Sequence, residues 1–170
     1  MYLIIFEGRF KVRKLKLYLD TSVISYLFAE DVPDKMQDTL DFWEDLKSGK
    51  YEIFISDVVT DEINKCKEPK LNILKEYMIE IDFYVLNINK ETETLAESFI
   101  SNGILSLKSM DDCYHIALAM QSGCDFIVSW NFKHMVNIKT IRGVKIISGI
   151  TNYPEISIYS PSMLLENKEV

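Results

Sequence analysis

Short apolar runs alternate with helical periodicity along this chain, and that alternation constrains the fold more than any other feature. Leu15–Leu19 reads as a buried strand that stops on Asp20, with Thr21 or Ser22 available to cap a helix over Val23–Phe28. A second helix carries Met36, Leu40, Trp43 and Leu46 at helical spacing, a stripe suited to a core or a subunit interface, and Gly49 marks its end. Ile53–Ile55 is the next strand. Ser56 or Asp57 is placed to cap a helix through Val58, Val59, Glu62 and Ile63. Another helix follows Pro69 through Leu71, Leu74, Tyr77 and Met78, then a strand over Phe83–Leu86 and a helix from Lys90 to Ile100. A loop over 101–109 leads into the apolar helix Met110–Gln121, which stops near Gly123 ahead of the strand Phe126–Val128. Ile138–Ile150 is ambiguous: Ile138, Ile141 and Val144 have helical spacing, whereas Val144–Ile147 alone suits a strand. Ile156–Tyr159 is a last strand, and Ser160-Pro161 opens a short terminal helix. The whole reads as an α/β fold around a central, mostly parallel sheet.

At 170 residues the chain is long enough to bury a core without disulfides, and no repeat or low-complexity linker divides it. We expect one domain over residues 15–170, preceded by a basic leader over 1–14. Cys66, Cys113 and Cys124 form no C-x-x-C pair, so neither a disulfide framework nor a zinc site is indicated. The apolar start at 1–6 is too short for a signal peptide or a membrane span, and we expect a cytoplasmic protein that does not engage a membrane. A net charge of −7 argues against non-specific coating of nucleic acid. The charge is uneven, since Arg9, Lys11, Arg13, Lys14 and Lys16 face only Glu7 in the first sixteen residues. That stretch suits a solvated leader or strand face, with a phosphate-contacting arm as the sharper alternative.

In parallel sheets, ligands bind beyond the carboxyl ends of the strands. Asp20, Ser129 and Asn131 follow predicted strands, Glu62 lies about a turn into a helix, and Asp112 opens another. Taken singly, Asp20 suits a helix cap, Glu62 a solvated helix face, and Asp112 a first-turn acid favoured by the helix dipole. Together, three carboxylates without a His/Cys cluster favour a hard divalent cation, Mg²⁺ or Mn²⁺. His115 is expected to be a hydrogen-bonded structural residue, and His134 either a cap or a nucleic-acid contact. Trp130 and Phe132 suit packing against the sheet better than stacking on a base.

The residues around the acids carry a family likeness. L-Y-L-D-T-S-V-I-S-Y-L-F at 17–28, I-S-D-V-V-T-D-E-I at 55–63, D-D-C-Y-H-I-A-L-A at 111–119, C-D-F-I-V-S-W-N-F-K-H at 124–134 and I-S-I-Y-S-P-S-M-L-L at 156–165 follow in the order of the PIN-domain motifs. The chain resembles the PIN-domain nucleases, which include toxin ribonucleases of toxin–antitoxin pairs. The resemblance implies a three-layer α/β/α fold and a metal-dependent endoribonuclease that hydrolyses RNA phosphodiester bonds by in-line attack of water. It implies Asp20, Glu62, Asp112 and Asn131 as catalytic residues, with Asp20, Glu62 and Asp112 as ligands of Mg²⁺ (or Mn²⁺). Thr21, Ser22, Ser129 and Lys133 are its candidate substrate contacts. RNA, an antitoxin protein and a second copy of the chain are its implied partners.

Many members have an aspartate where this chain has Asn131. Asparagine still offers a carbonyl oxygen but neither negative charge nor a carboxylate base. That departure keeps an alternative open, a PIN-like module that binds RNA or protein without cleaving. A phosphatase with Asp20 as nucleophile ranks lower, because such enzymes place a second aspartate two positions on, where this chain has Ser22.

Overall fold

A computed structural model of the chain describes residues 13–165. The strands β1 (Leu15–Leu19), β2 (Tyr51–Ser56), β3 (Phe83–Leu86), β4 (Phe126–Val128) and β5 (Ser157–Tyr159) form one sheet in the order β3-β2-β1-β4-β5. Every pairing is parallel. Leu17, Tyr18 and Leu19 of the central strand are fully buried, which is why that strand reads as a continuous apolar run.

The helices are α1 (Thr21–Ser25), α2 (Pro33–Lys47), α3 (Asp57–Asn64), α4 (Lys70–Met78), α5 (Lys90–Ser101), α6 (Met110–Gln121), α7 (Ile138–Ile150) and α8 (Pro161–Leu165). α1 continues into a 3-10 turn over Tyr26–Phe28, and a second such turn, Leu107–Ser109, leads into α6. α5 packs on α6 and α7, whereas α2 packs on α8 and on the Tyr26–Phe28 turn. The sheet lies between helical layers, giving the three-layer α/β/α arrangement.

The stripe on α2 is core: Phe42, Trp43 and Leu46 are buried, with Met36 and Leu40 half-buried above them. α6 is buried nearly all round, from Cys113 through Met120 apart from Tyr114, so its sequence shows little amphipathic contrast. The ambiguous 138–150 segment is a helix, opened by Asn137, whose side chain accepts from the Thr140 N–H at 3.0 Å. Gly49 and Gly123 adopt φ of 71° and 63° just past α2 and α6, where a left-handed residue ends the helix.

Two expected caps differ. Thr21 and Ser22 lie inside α1, and Asp20 at the cap position makes no side-chain cap bond. All three side chains are drawn instead to partners in the cleft described below. Ser56 does cap α3, accepting from Val59 N. Most of the basic N-terminal stretch lies outside the described residues; Arg13, Lys14 and Lys16 lie within them.

Candidate active site

The connections β1→β2→β3 step to one side of β1, while β4 and β5 lie on the other. That reversal leaves a crevice beyond the carboxyl ends of β1 and β4, where α/β sheets take their ligands. Asp20 emerges at the end of β1, and Ser129 at the end of β4. Asp20, Glu62, Asp112, His115 and Asn131 line one open cleft of ≈ 640 Å³ there, with Lys35 and Lys133 at its rim.

Each acid is held by a neutral donor. Ser22 Oγ and Ser129 Oγ both donate to Asp20 Oδ2, at 2.6 and 2.5 Å. Ser22 Oγ also accepts from the Trp130 N–H at 2.8 Å, and Ser129 Oγ from the Asn131 N–H at 2.9 Å. The loop after β4 is thereby fastened to the loop after β1. Thr21 Oγ1 donates to Glu62 Oε2. Asn131 Nδ2 donates to Asp112 Oδ1 at 2.8 Å, while its Oδ1 accepts from the His134 N–H at 3.0 Å. Thr21, Ser22 and Ser129, expected at the substrate, thus spend their hydroxyls orienting acids. Lys133 is exposed at the rim, as a phosphate contact requires.

His115 is the residue that sequence reasoning left out of the site. It is buried and hydrogen-bonded as expected, yet its Nε2 stands 3.6 Å from both Asp20 Oδ1 and Glu62 Oε2. Tyr18 Oη donates to Ser56 Oγ at 2.6 Å and lies 2.7 Å from His115 Nδ1. Burial alone would lower the His115 pKa, but the contact with Glu62 and the charges of Asp20 and Asp112 outweigh it and raise it. The same contact with His115 lowers the Glu62 pKa, helped by Thr21 against partial burial. Burial raises the Asp112 pKa, and the nearby Asp20 and Glu62 add to that, against the two histidines. Burial likewise keeps the Tyr18 phenol protonated. The signal in the sequence was spacing: His115 lies one helical turn after Asp112, and Tyr18 shares a strand face with Asp20.

His134 closes the loop before α7, its carbonyl accepting from Thr140 Oγ1 at 2.7 Å and its Nδ1 lying 3.4 Å from Ser109 Oγ. Trp130 is buried, with Nε1 donating to Thr39 Oγ1 at 2.8 Å.

The donor set suits a hard cation. One oxygen of each acid (Asp20 Oδ1, Glu62 Oε1, Asp112 Oδ2) accepts no hydrogen bond among the described residues. Among those residues, no three His, Cys, Asp or Glu side chains form a ready metal cage. Mg²⁺ needs no such cage, since it keeps several waters and takes one or two carboxylates.

The PIN-domain family model matches residues 17–133, most of the chain, a span that includes Asp20, Glu62 and Asp112. The chain belongs to the PIN-domain family. The phosphatase reading falls with that. As a PIN domain it is similar in structure to VapBC2 from Rickettsia felis, solved bound to a DNA fragment from its promoter. That likeness has a TM-score of 0.55 and 15% identity over 86% of this chain and 98% of the other. It is also similar to Mycobacterium tuberculosis VapC20, a toxin that cleaves the sarcin–ricin loop. Here the TM-score is 0.54, with 14% identity over 69% of this chain and 92% of the other. At these identities the likeness concerns the fold. No curated protein matches the sequence. Among the described residues no helix is long and apolar enough to cross a membrane.

Proposed function

We propose that this PIN domain is a metal-dependent endoribonuclease, the toxin of a toxin–antitoxin pair, cleaving RNA by attack of water on a phosphodiester. One observation carries the reading: Asp20, Glu62, Asp112 and Asn131 line one open cleft at the reversal point of a parallel sheet. The fold likeness to VapBC2 and to VapC20, the latter a sarcin–ricin-loop-cleaving toxin, supports the same direction. From the family resemblance, we also propose an antitoxin protein as a partner and a homodimer as the working form.

Asp20, Glu62 and Asp112 would hold Mg²⁺ or Mn²⁺. When bound, the cation offsets phosphate charge and acidifies water. The protein's own part is orientation. Ser22 and Ser129 fix Asp20 through Oδ2, Thr21 fixes Glu62 through Oε2, and Asn131 fixes Asp112 through Oδ1. Preset carboxylates need not reorganise when charge develops at the phosphate. His115 stands between two of the acids, its Nε2 3.6 Å from an oxygen of Asp20 and of Glu62.

The test is cleavage of structured RNAs by the purified protein with Mg²⁺ or Mn²⁺, with EDTA, and as the Asp20→Asn variant. We expect cleavage only with metal, and a loss of roughly 10²-fold or more in Asp20→Asn, as for removal of a preorganised charge at the reacting centre. Cleavage that survives both EDTA and Asp20→Asn would overturn the assignment. One observation favours a second reading, a module that binds but does not cleave: the Asn131 amide satisfies Asp112 without any cation. On that reading, millimolar Mn²⁺ leaves the melting temperature unchanged.

A further inference from the structure

At the rim of the acid cleft an ammonium rests on three aromatic rings. Lys35 Nζ lies 5.4, 5.5 and 5.2 Å from the ring centroids of Tyr26, Trp130 and Phe132. Trp130 is the floor: it is 5% exposed, and its centroid is 5.8 Å from Tyr26 and 6.1 Å from Phe132. Phe132 is the open member, with 45% of its surface exposed, and Tyr26 is half-buried. These residues line the same cleft as the acids. They are also tied to it by bonds: Asn131, between Trp130 and Phe132, donates to Asp112, and the Trp130 N–H donates to the Ser22 hydroxyl that holds Asp20.

Packing accounts for Trp130, but it does not account for an exposed phenylalanine beside a lysine that no carboxylate pairs with among the described residues. Here the rings hold the ammonium by cation–π attraction, which leaves its hydrogen-bond donors free for an anion. An acid cleft repels a polyanion, so a fixed cation at its mouth is where a phosphate would enter.

We propose that Phe132, Tyr26 and Lys35 form a seat for one unpaired nucleotide of the RNA, its base stacked on the Phe132–Tyr26 side and its phosphate on the Lys35 ammonium. The seat rests on the ribonuclease reading and adds to it the residues that would take hold of an unpaired nucleotide. A base within a duplex has no free face to offer a protein ring. Every base has a π face, so the seat selects an unpaired nucleotide with little regard for its identity.

The seat is tested by binding, apart from cleavage. Asp20→Asn protein in EDTA is titrated with a short single-stranded oligoribonucleotide carrying 2-aminopurine, and with the same strand in a duplex. Fluorescence reports stacking. We expect the single strand to bind with quenching and the duplex to bind more weakly. Adding Phe132→Ala should weaken single-strand binding about tenfold and abolish the quench, whereas Phe132→Trp should keep both. Lys35→Gln should weaken binding and reduce its salt slope by about one. Unchanged melting temperatures would show that these variants fold. Absence of binding, equal binding of duplex and single strand, or a Phe132→Ala protein that binds and quenches like its parent would overturn the seat. Failure of the ribonuclease reading would show instead as absent metal-dependent cleavage by the wild-type protein.

Discussion

Asn131 sets how much negative charge the cleft carries. Its amide donates to Asp112 Oδ1 at 2.8 Å, so this position supplies a hydrogen-bond donor where many PIN domains supply a carboxylate. Asn131→Asp would replace that attraction with two carboxylates at close range, a repulsion of about 1–4 kcal/mol at such separations. The backbone around it should hold, because the variant's oxygen can still accept from the His134 N–H. We therefore expect Asn131→Asp to melt several degrees lower than wild type in EDTA. It should also gain more in melting temperature on addition of Mn²⁺, since a cation offsets the added charge. Thermal melts with and without Mn²⁺ check both halves, and a variant that melts as wild type in EDTA would contradict the first. The acids were legible in the sequence through the motifs around them; Asp20 follows a strand and Asp112 opens a helix, but Glu62 lies in the last turn of α3 and its position alone would not mark it. The hydroxyls were legible only as polar neighbours. That Ser22, Ser129 and Thr21 turn inward to the acids depends on two loops meeting across the top of the sheet, which no local pattern encodes.

At the scale of elements, α7 is where periodicity ran out. Ile138, Ile141, Ile146 and Ile150 are exposed while Val144 and Ile147 are buried, so apolar residues on both faces blur the helical pattern. The deciding signal was Asn137 three residues before Thr140, an N-cap that periodicity ignores. Gly143 then shows what the helix packs against. A Cβ there would lie 2.3 Å from Ile104 Cγ2 and 2.9 Å from its Cγ1, in the loop between α5 and α6. The β-branched Ile104 is buried, so it has little room to retreat. Gly143→Ala gains at most about 1 kcal/mol of helix propensity, against roughly 1–3 kcal/mol for overpacking. We expect a net loss of about 1 kcal/mol or more in urea unfolding, and no such loss when Gly143→Ala is made in an Ile104→Ala background. A single variant more stable than wild type would mean the loop yields freely.

Across the whole molecule, the alternation of strands and helices made the α/β class legible, yet it could not say on which side of β1 the fourth strand docks. That choice belongs to packing between distant segments, and it creates the crevice that brings Asp20 and Ser129 together. The opposite end of the same β1–β4 junction is held by a different acid. Asp125, just before β4, accepts from the Lys16 N–H and from Arg13 Nη2, each at 2.7 Å. Its partial burial would raise its pKa, but the Lys16 N–H and the Arg13 guanidinium outweigh that and hold it below the usual carboxylate range. A folded-state pKa below the unfolded value of about 3.9 means the carboxylate stabilises the fold fully above that pH. The contribution is lost as pH falls through the folded value. Because Arg13 is largely exposed, most of the effect belongs to the backbone donor, and Asp125→Asn should cost about 1 kcal/mol at pH 7. Urea unfolding of wild type and variant at a series of pH values measures that gap. It should stay constant from pH 7 to about 5 and close below about pH 4, where the wild-type side chain takes up a proton and becomes as neutral as asparagine. A gap that persists undiminished at the acid end would mean that shape, and not charge, fastens β1 to β4.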